Sequence, residues 1–204
     1  MRIGIDLDNT IACYDGVFHA AALELGLVPE ALAPDKTSVR DHLRETGCED
    51  AWTRLQGHVY GARMNLVSCY PGCLDFMRRA AQDGHGVFVI SHKTRHPYRG
   101  PRHDLHAAAL GFLARHRIPA EHAFFEPTQD DKRARIAAQG CDVFIDDLPE
   151  FLADCPPSLV AHPILFDPQG RPPGAAWRGH RFQAFADWPA IEAALLGPAS
   201  RHAA

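Results

Sequence analysis

No apolar run in this sequence approaches the ~20 residues that a membrane-crossing helix needs, which excludes a helical membrane protein. The chain also enters an apolar strand at once, with no basic segment followed by an apolar stretch, so a cytoplasmic location is expected. An excess of one charge sign is missing too. With 21 Lys and Arg, 25 Asp and Glu and a formal net charge of -4, nothing in the total points to nucleic acid or anionic lipid as partner. The six cysteines (Cys13, Cys48, Cys69, Cys73, Cys141 and Cys155) form no CxxC pair, and no second Cys or His pair completes a zinc set around "CYPGC". They are read as reduced residues, mostly buried, with Pro71 and Gly72 making a turn. The least expected scarcity is lysine: of the 21 basic residues only Lys36, Lys93 and Lys132 are not arginine, so each merits attention.

What is present is the composition of an ordinary globular protein, 46% hydrophobic and 23% charged over 204 residues, enough for one main domain. Four short runs read as strands: "RIGIDL" at 2–7, "GVFVIS" at 86–91, "CDVFID" at 141–146 and "SLVAHPILF" at 158–166. The first three are nearly continuous in apolar residues, as in a parallel sheet covered on both faces. Helical spacing falls between them, over 71–83, 104–116 and 130–139, with a terminal helix in "DWPAIEAALLG" and glycines at the stops. This alternation predicts an α/β, doubly wound, Rossmann-like parallel sheet.

Residues 15–68 break the rhythm. They are helix-like throughout, which predicts a small helical insert after the first strand. The expected division is a core of 1–14 and 69–198, the insert, and a frayed tail at 199–204, with a loop at 167–180. In open α/β sheets the ligand crevice lies beyond the carboxyl ends of the strands, where an insert leaving the first strand can roof it.

Those carboxyl ends carry the chemistry. Asp6 and Asp8 follow the first strand, Ser91 the second, and Asp146 with Asp147 the third. Singly, each is an ordinary turn or capping residue. Together they gather four acids at one sheet edge, and two carboxylates about 4 Å apart repel by roughly 4 kcal/mol at an effective dielectric near 20. Such a set calls for cations: a hard divalent ion with oxygen ligands, and Lys132, which stands in a first helical turn where the helix dipole disfavours it.

These residues resemble the motifs of the haloacid dehalogenase-like (HAD) superfamily. "DLDNT" is similar to its DxDx[TV] first motif, "VFVIS" to its second, Lys132 to its third and "VFIDD" to its acidic fourth. The resemblance runs from 2 to 147, and "FADWPAIEAAL" looks like a common terminal strand and helix. It implies a HAD-like core with a small helical cap, and the second acid, Asp8, implies phosphoryl transfer rather than dehalogenation.

By resemblance, Asp6 attacks phosphorus to form an aspartyl-phosphate, and Asp8 carries the proton to and from the oxygens. Mg²⁺ is held by the Asp6 carboxylate, the Asp8 carbonyl and Asp146 or Asp147, one directly and the other through water. Ser91 and Lys132 hold the phosphoryl oxygens, and Thr10 orients the loop. Beyond Ser91, "HKTRHPYRGPRH" offers His92, Lys93 and Arg95 as a basic rim for a second anionic group, or else as a solvated loop. The expected substrate is a small phosphomonoester such as a sugar phosphate. A nucleotide or nucleic-acid end and a non-catalytic scaffold are the alternatives, and neither oligomeric state nor substrate is specified. An aromatic platform for a base at Tyr14, Phe18 or Trp52 competes with plain core packing.

Overall fold

The computed structural model describes residues 1–170 and 181–197. The tail expected at 199–204, and the part of the 167–180 loop from 171 onward, lie outside the described residues.

Six parallel strands form one sheet: β1 (Arg2–Ile5), β4 (Gly86–His92), β5 (Ala123–Glu126), β6 (Val143–Asp146), β7 (His162–Phe166) and β8 (Gln183–Phe185), in the order β5-β4-β1-β6-β7-β8. Two further short strands, β2 (Ala12–Cys13) and β3 (Ser68–Cys69), pair as a ribbon. The helices are α1 (Val17–Glu24), α2 (Lys36–Glu45), α3 (Glu49–Tyr60), α4 (Cys73–Gln82), α5 (Leu105–Arg115), α6 (Gln129–Gln139), α7 (Pro149–Ala153) and α8 (Trp188–Leu196). The doubly wound α/β architecture read from the sequence is the one observed. Two edge strands, β5 and β8, and the five-residue α7 escape the sequence pattern, because each is too short for a period to show.

Side-chain parity explains how the sheet is covered. Phe88, Ile90, Phe144 and Leu165 pack with Ile136 of α6 and Phe151 and Leu152 of α7 on one face. On the other face Phe166 meets Trp188 of α8, whose ring also packs on Phe76 of α4. Gly4, on the α6 and α7 face of β1, has no room for a side chain: a Cβ there would come 2.6 Å from the Phe144 ring. Capping is local and legible, with Asp104, Thr128 and Asp187 each accepting from the backbone three residues on at the starts of α5, α6 and α8. Gly140 ends α6 in the left-handed conformation that favours glycine (φ 57°).

By contacts the described residues divide into two compact units. The first comprises 1–11, 69–92 and the described residues from 122 onward; the second comprises 12–68 and 93–121. In the second, the core is aromatic: Tyr14, Phe18 and Trp52 are buried and stack on one another and on Tyr60. The 93–121 segment lies so close to α3 that a Cβ on Gly57 would come 2.6 Å from Pro97, and one on Gly61 equally close to His103. Arg115 of α5 donates to the Met64 carbonyl (2.7 Å). All six cysteines are free and only Cys48 is exposed. Among the described residues no helix is long and apolar enough to cross a membrane.

Candidate active site

The centre of the site lies within the first unit and follows from strand parity. Residues 4 and 6 of the β1 line point to the α6 face, as do residues 144 and 146 of β6. The β1 and β6 register pairs Ile5 with Ile145, and the Asp6 amide donates to the Ile145 carbonyl (2.9 Å), so Asp6 and Asp146 lie side by side on that face. From α6, the buried Lys132 ammonium reaches both: Nζ is 2.6 Å from Asp6 Oδ1 and 2.7 Å from Asp146 Oδ2. Its stem passes the rings of Phe151 and Phe144, with Nζ 4.4 and 5.3 Å from their centroids. Asp146 Oδ1 accepts from the Leu148 amide (2.9 Å), which fixes that carboxylate. The lysine that sits badly in its own helix dipole is therefore held by two carboxylates from other strands.

Electrostatics within this triad is unbalanced. Burial pushes the Asp6 carboxyl up to about 7; Lys132 opposes the rise, and Asp146 and Asp8 add to it. Burial alone would pull Lys132 down, but Asp146 and Asp6 reverse this and hold its pKa above the ordinary value, so it remains charged. The one ammonium thus faces two carboxylates, and Asp6 feels a third, Asp8.

The other residues singled out in the sequence fall into three groups. Asp8 and Asp147 are half-buried immediately beyond the ends of β1 and β6, and Ser91 is buried near the end of β4, one strand over from Asp6. In the turn after Asp8, Asn9 takes a left-handed conformation (φ 61°), which asparagine tolerates. Thr10 is fully buried, its carbonyl accepts from Trp188 Nε1 (3.2 Å), and its hydroxyl finds no partner among the described residues. That indole bond, which sequence reasoning missed, ties the loop carrying Asp8 to the terminal helix. His92 Nε2 lies 3.1 Å from the Pro127 carbonyl. Lys93 and Arg95 belong to the second unit, where Lys93 is buried with Nζ 4.7 Å from the centre of the Tyr60 ring and Arg95 pairs with Asp104 (3.0 Å). His106 is half-buried, with Nε2 2.9 Å from the Lys93 carbonyl. Lys36, the remaining lysine, stands over Tyr14, Phe18 and Tyr60, a setting that the sequence did not indicate.

Among the described residues, no three His, Cys, Asp or Glu side chains converge as a ready-made metal cluster. The oxygen donors at the sheet edge are two carboxylate-bearing strand ends and the loop after Asp6, a set too small for an all-protein cage.

No known family profile matches the chain, and no curated protein matches it. Solved structures do. The chain is similar to a HAD family hydrolase from Deinococcus radiodurans R1, crystallised with phosphate and sodium, at 16% identity and a TM-score of 0.58 over 95% of this chain and 94% of that one. A hydrolase from Pseudomonas syringae gives 14% identity and a TM-score of 0.59, covering 98% of this chain and 99% of the other. A HAD-superfamily hydrolase from Ehrlichia chaffeensis gives 9% and 0.54, covering 94% and 93%. Likeness over nearly the full length of each, on a six-stranded parallel sheet, shows that this chain shares the fold of these three hydrolases.

Proposed function

We propose that the protein is a Mg²⁺-dependent phosphomonoester hydrolase that works through an aspartyl-phosphate on Asp6. The observation that carries this reading is the buried Asp6–Lys132–Asp146 triad at the carboxyl edge of the sheet. The phosphate bound in the Deinococcus structure is in keeping with it.

The metal fits the donor set. Burial lifts the Asp6 carboxyl to about 7, with Asp146 and Asp8 adding to the rise and Lys132 opposing it, and such a hard oxygen edge calls for a further cation. Mg²⁺ characteristically takes only one or two carboxylates, with water and substrate phosphate supplying the rest, so the lack of a three-carboxylate cluster is no obstacle. Asp6, the Asp8 carbonyl and Asp146 or Asp147 would hold it. When bound it supplies positive charge to the phosphoryl oxygens.

The chain's own residues do the bond chemistry. The carboxylate of Asp6 attacks phosphorus; an O–P bond forms as the ester P–O bond breaks, and Asp8 gives its proton to the departing alkoxide. Water then attacks the phosphorylated Asp6, Asp8 takes the water proton, and the Asp6–phosphorus bond breaks to release phosphate. Ser91 and the Lys132 ammonium stabilise the phosphoryl oxygens. Lys132, which also bonds Asp146, opposes the rise in the Asp6 pKa and so favours the ionised form that attacks. The helices of the 15–68 insert serve as the small cap that selects substrate. Tyr14, Phe18 and Trp52 are spent on the core of the second unit, which favours a small phosphorylated metabolite such as a sugar phosphate over a nucleotide.

Turnover of p-nitrophenyl phosphate tests this. It should require Mg²⁺, vanish on chelation and fall by several orders of magnitude in Asp6→Asn. Activity that survives either treatment would overturn the mechanism.

A further inference from the structure

Lys132 does not face the sheet edge alone. Gln129, Lys132 and Ile136 recur at helical spacing and so share one face of α6, on which Lys132 and Ile136 are buried. The helix packs over β4 and β5. It starts just past the carboxyl end of β5 and runs back along the sheet, so Gln129 stands one turn, about 4.5 Å, nearer the carboxyl edge than Lys132. All of these residues belong to the first unit, as do Asp6 and Asp146.

Gln129 Oε1 is buried and accepts no hydrogen bond among the described residues. The polar groups of the same helical turn are committed elsewhere. The Thr128 hydroxyl donates to Asp131 Oδ2 (2.6 Å), the Asp131 amide donates back to that hydroxyl (3.0 Å), Asp130 accepts from Arg133 (2.8 Å), and the Lys132 ammonium bonds Asp6 and Asp146. A buried acceptor without a donor costs stability, and native proteins leave few such atoms. The start of the helix is held in place as well. His92, on the same face of β4 as Ile90, donates from Nε2 to the Pro127 carbonyl (3.1 Å), two residues ahead of Gln129, and Thr128 caps α6.

We propose that Gln129 is a specificity-determining residue: its side-chain oxygen accepts from a hydroxyl of the alcohol that the phosphoryl group esterifies, so that the substrate is a phosphomonoester of a hydroxylated compound rather than of a simple alcohol. This rests on the phosphatase reading above. With the phosphoryl group held by Ser91 and Lys132, the alcohol extends outward along the edge, past the next turn of α6. An oxygen that only accepts is selective there. It repels phosphoryl and ester oxygens, which bring no proton, and an alkyl chain leaves it unpaired, whereas a hydroxyl supplies the donor that the chain itself does not. Burial is no bar to contact with substrate, since Asp6 at the same edge is only 5% exposed.

Matched esters test the proposal. Glycerol 3-phosphate set against n-propyl phosphate reads the hydroxyls in a leaving group of the same carbon number. In the wild type, kcat/KM should favour the glycerol ester. That ratio should fall by about threefold to tenfold, the worth of one neutral hydrogen bond, in Gln129→Met, which keeps the length of the side chain and removes the acceptor. It should persist in Gln129→Glu, which still accepts. Comparing one ratio between proteins cancels the difference in leaving-group acidity. Without substrate, Gln129→Met should melt no lower than the wild type, because the oxygen it removes has no partner to lose. A melting temperature lower by several degrees, or failure to fold, would mean that Gln129 serves the fold, and overturns the proposal. Turnover of both esters with a ratio that Gln129→Met leaves alone, or that Gln129→Glu lowers as much, also overturns it and leaves the phosphatase reading intact. If neither ester nor p-nitrophenyl phosphate is turned over, the phosphatase reading falls and the proposal falls with it.

Discussion

Lys132 and Lys36 are both lysines among aromatic rings, but they are held by different forces. Lys132 lies over Phe151 and Phe144 and also makes two short hydrogen bonds to buried carboxylates. Lys36 lies over Tyr14, Phe18 and Tyr60 on a half-buried helix start, where its charge lowers the pKa of the Asp15 carboxyl. Charge-assisted bonds in a dry site fix an ammonium in place, and a ring face attracts one through its quadrupole.

The sharpest break in that comparison is Lys132→Met set beside Lys36→Met. Removing Lys132 leaves Asp6 and Asp146 buried without their cation, which costs about 3–5 kcal/mol, whereas Lys36→Met costs about 1 kcal/mol or less. Urea denaturation midpoints at constant m-value check this. Equal losses for the two variants would mean that the carboxylates do not distinguish the lysines. Lys132→Met should also abolish phosphatase turnover, even at temperatures where the variant is folded.

Next in size is the pH dependence of the metal-free protein. The unfolded Asp6 carboxyl titrates near 3.8 and the folded one is pushed up to about 7. Between those values the folded state holds a proton that the unfolded chain has released, so stability falls as pH rises from about 4 to about 7. With chelator present, the melting temperature should decline across that window, and Asp6→Asn should flatten the decline. Mg²⁺ at a hundredfold its dissociation constant should restore about 2.7 kcal/mol above pH 7, with little effect near pH 4. A metal-free melting temperature that rises over the same window would refute the account of Asp6.

The contrast between the two lysines also explains what was legible in the sequence. β1, β4 and β6 could be read because buried parallel strands are continuous in apolar residues, and Asp6, Asp8, Ser91, Asp146 and Asp147 could be read because they end those strands. Lys132 was visible as a cation in the wrong helical turn. Lys36 was not, because what distinguishes it is an aromatic surface built from α1, α3 and the residue Tyr14, and no local pattern encodes a contact between elements. The Trp188 bond to the Thr10 carbonyl escaped for the same reason: it joins residues from opposite ends of the chain. The short edge strand β5 was missed on length alone, and a strand before the terminal helix was indicated only by the resemblance of "FADWPAIEAAL", with β8 ending at its first residue.

The smallest effect concerns Asp15, the second unit's counterpart to Asp6. Partial burial, then Asp35, raise its pKa, while a bond with Cys13 and the field of Lys36 lower it without cancelling the rise. As with Asp6, a raised carboxyl means that the folded state retains a proton above 3.8, so ionising Asp15 costs stability as pH rises through its folded pKa. Unlike Asp6, it is exposed, which limits the cost to less than about 1 kcal/mol. Asp15→Asn should therefore raise the melting temperature slightly at pH 8 and leave it unchanged near pH 3, where the carboxyl is protonated folded or unfolded. In the Lys36→Met background the gain at pH 8 should grow, because the cation that offsets Asp35 is gone. A gain identical in both backgrounds would show that Lys36 does not act on Asp15, and the charge balance around the Tyr60 ring would have to be drawn from Lys93 alone.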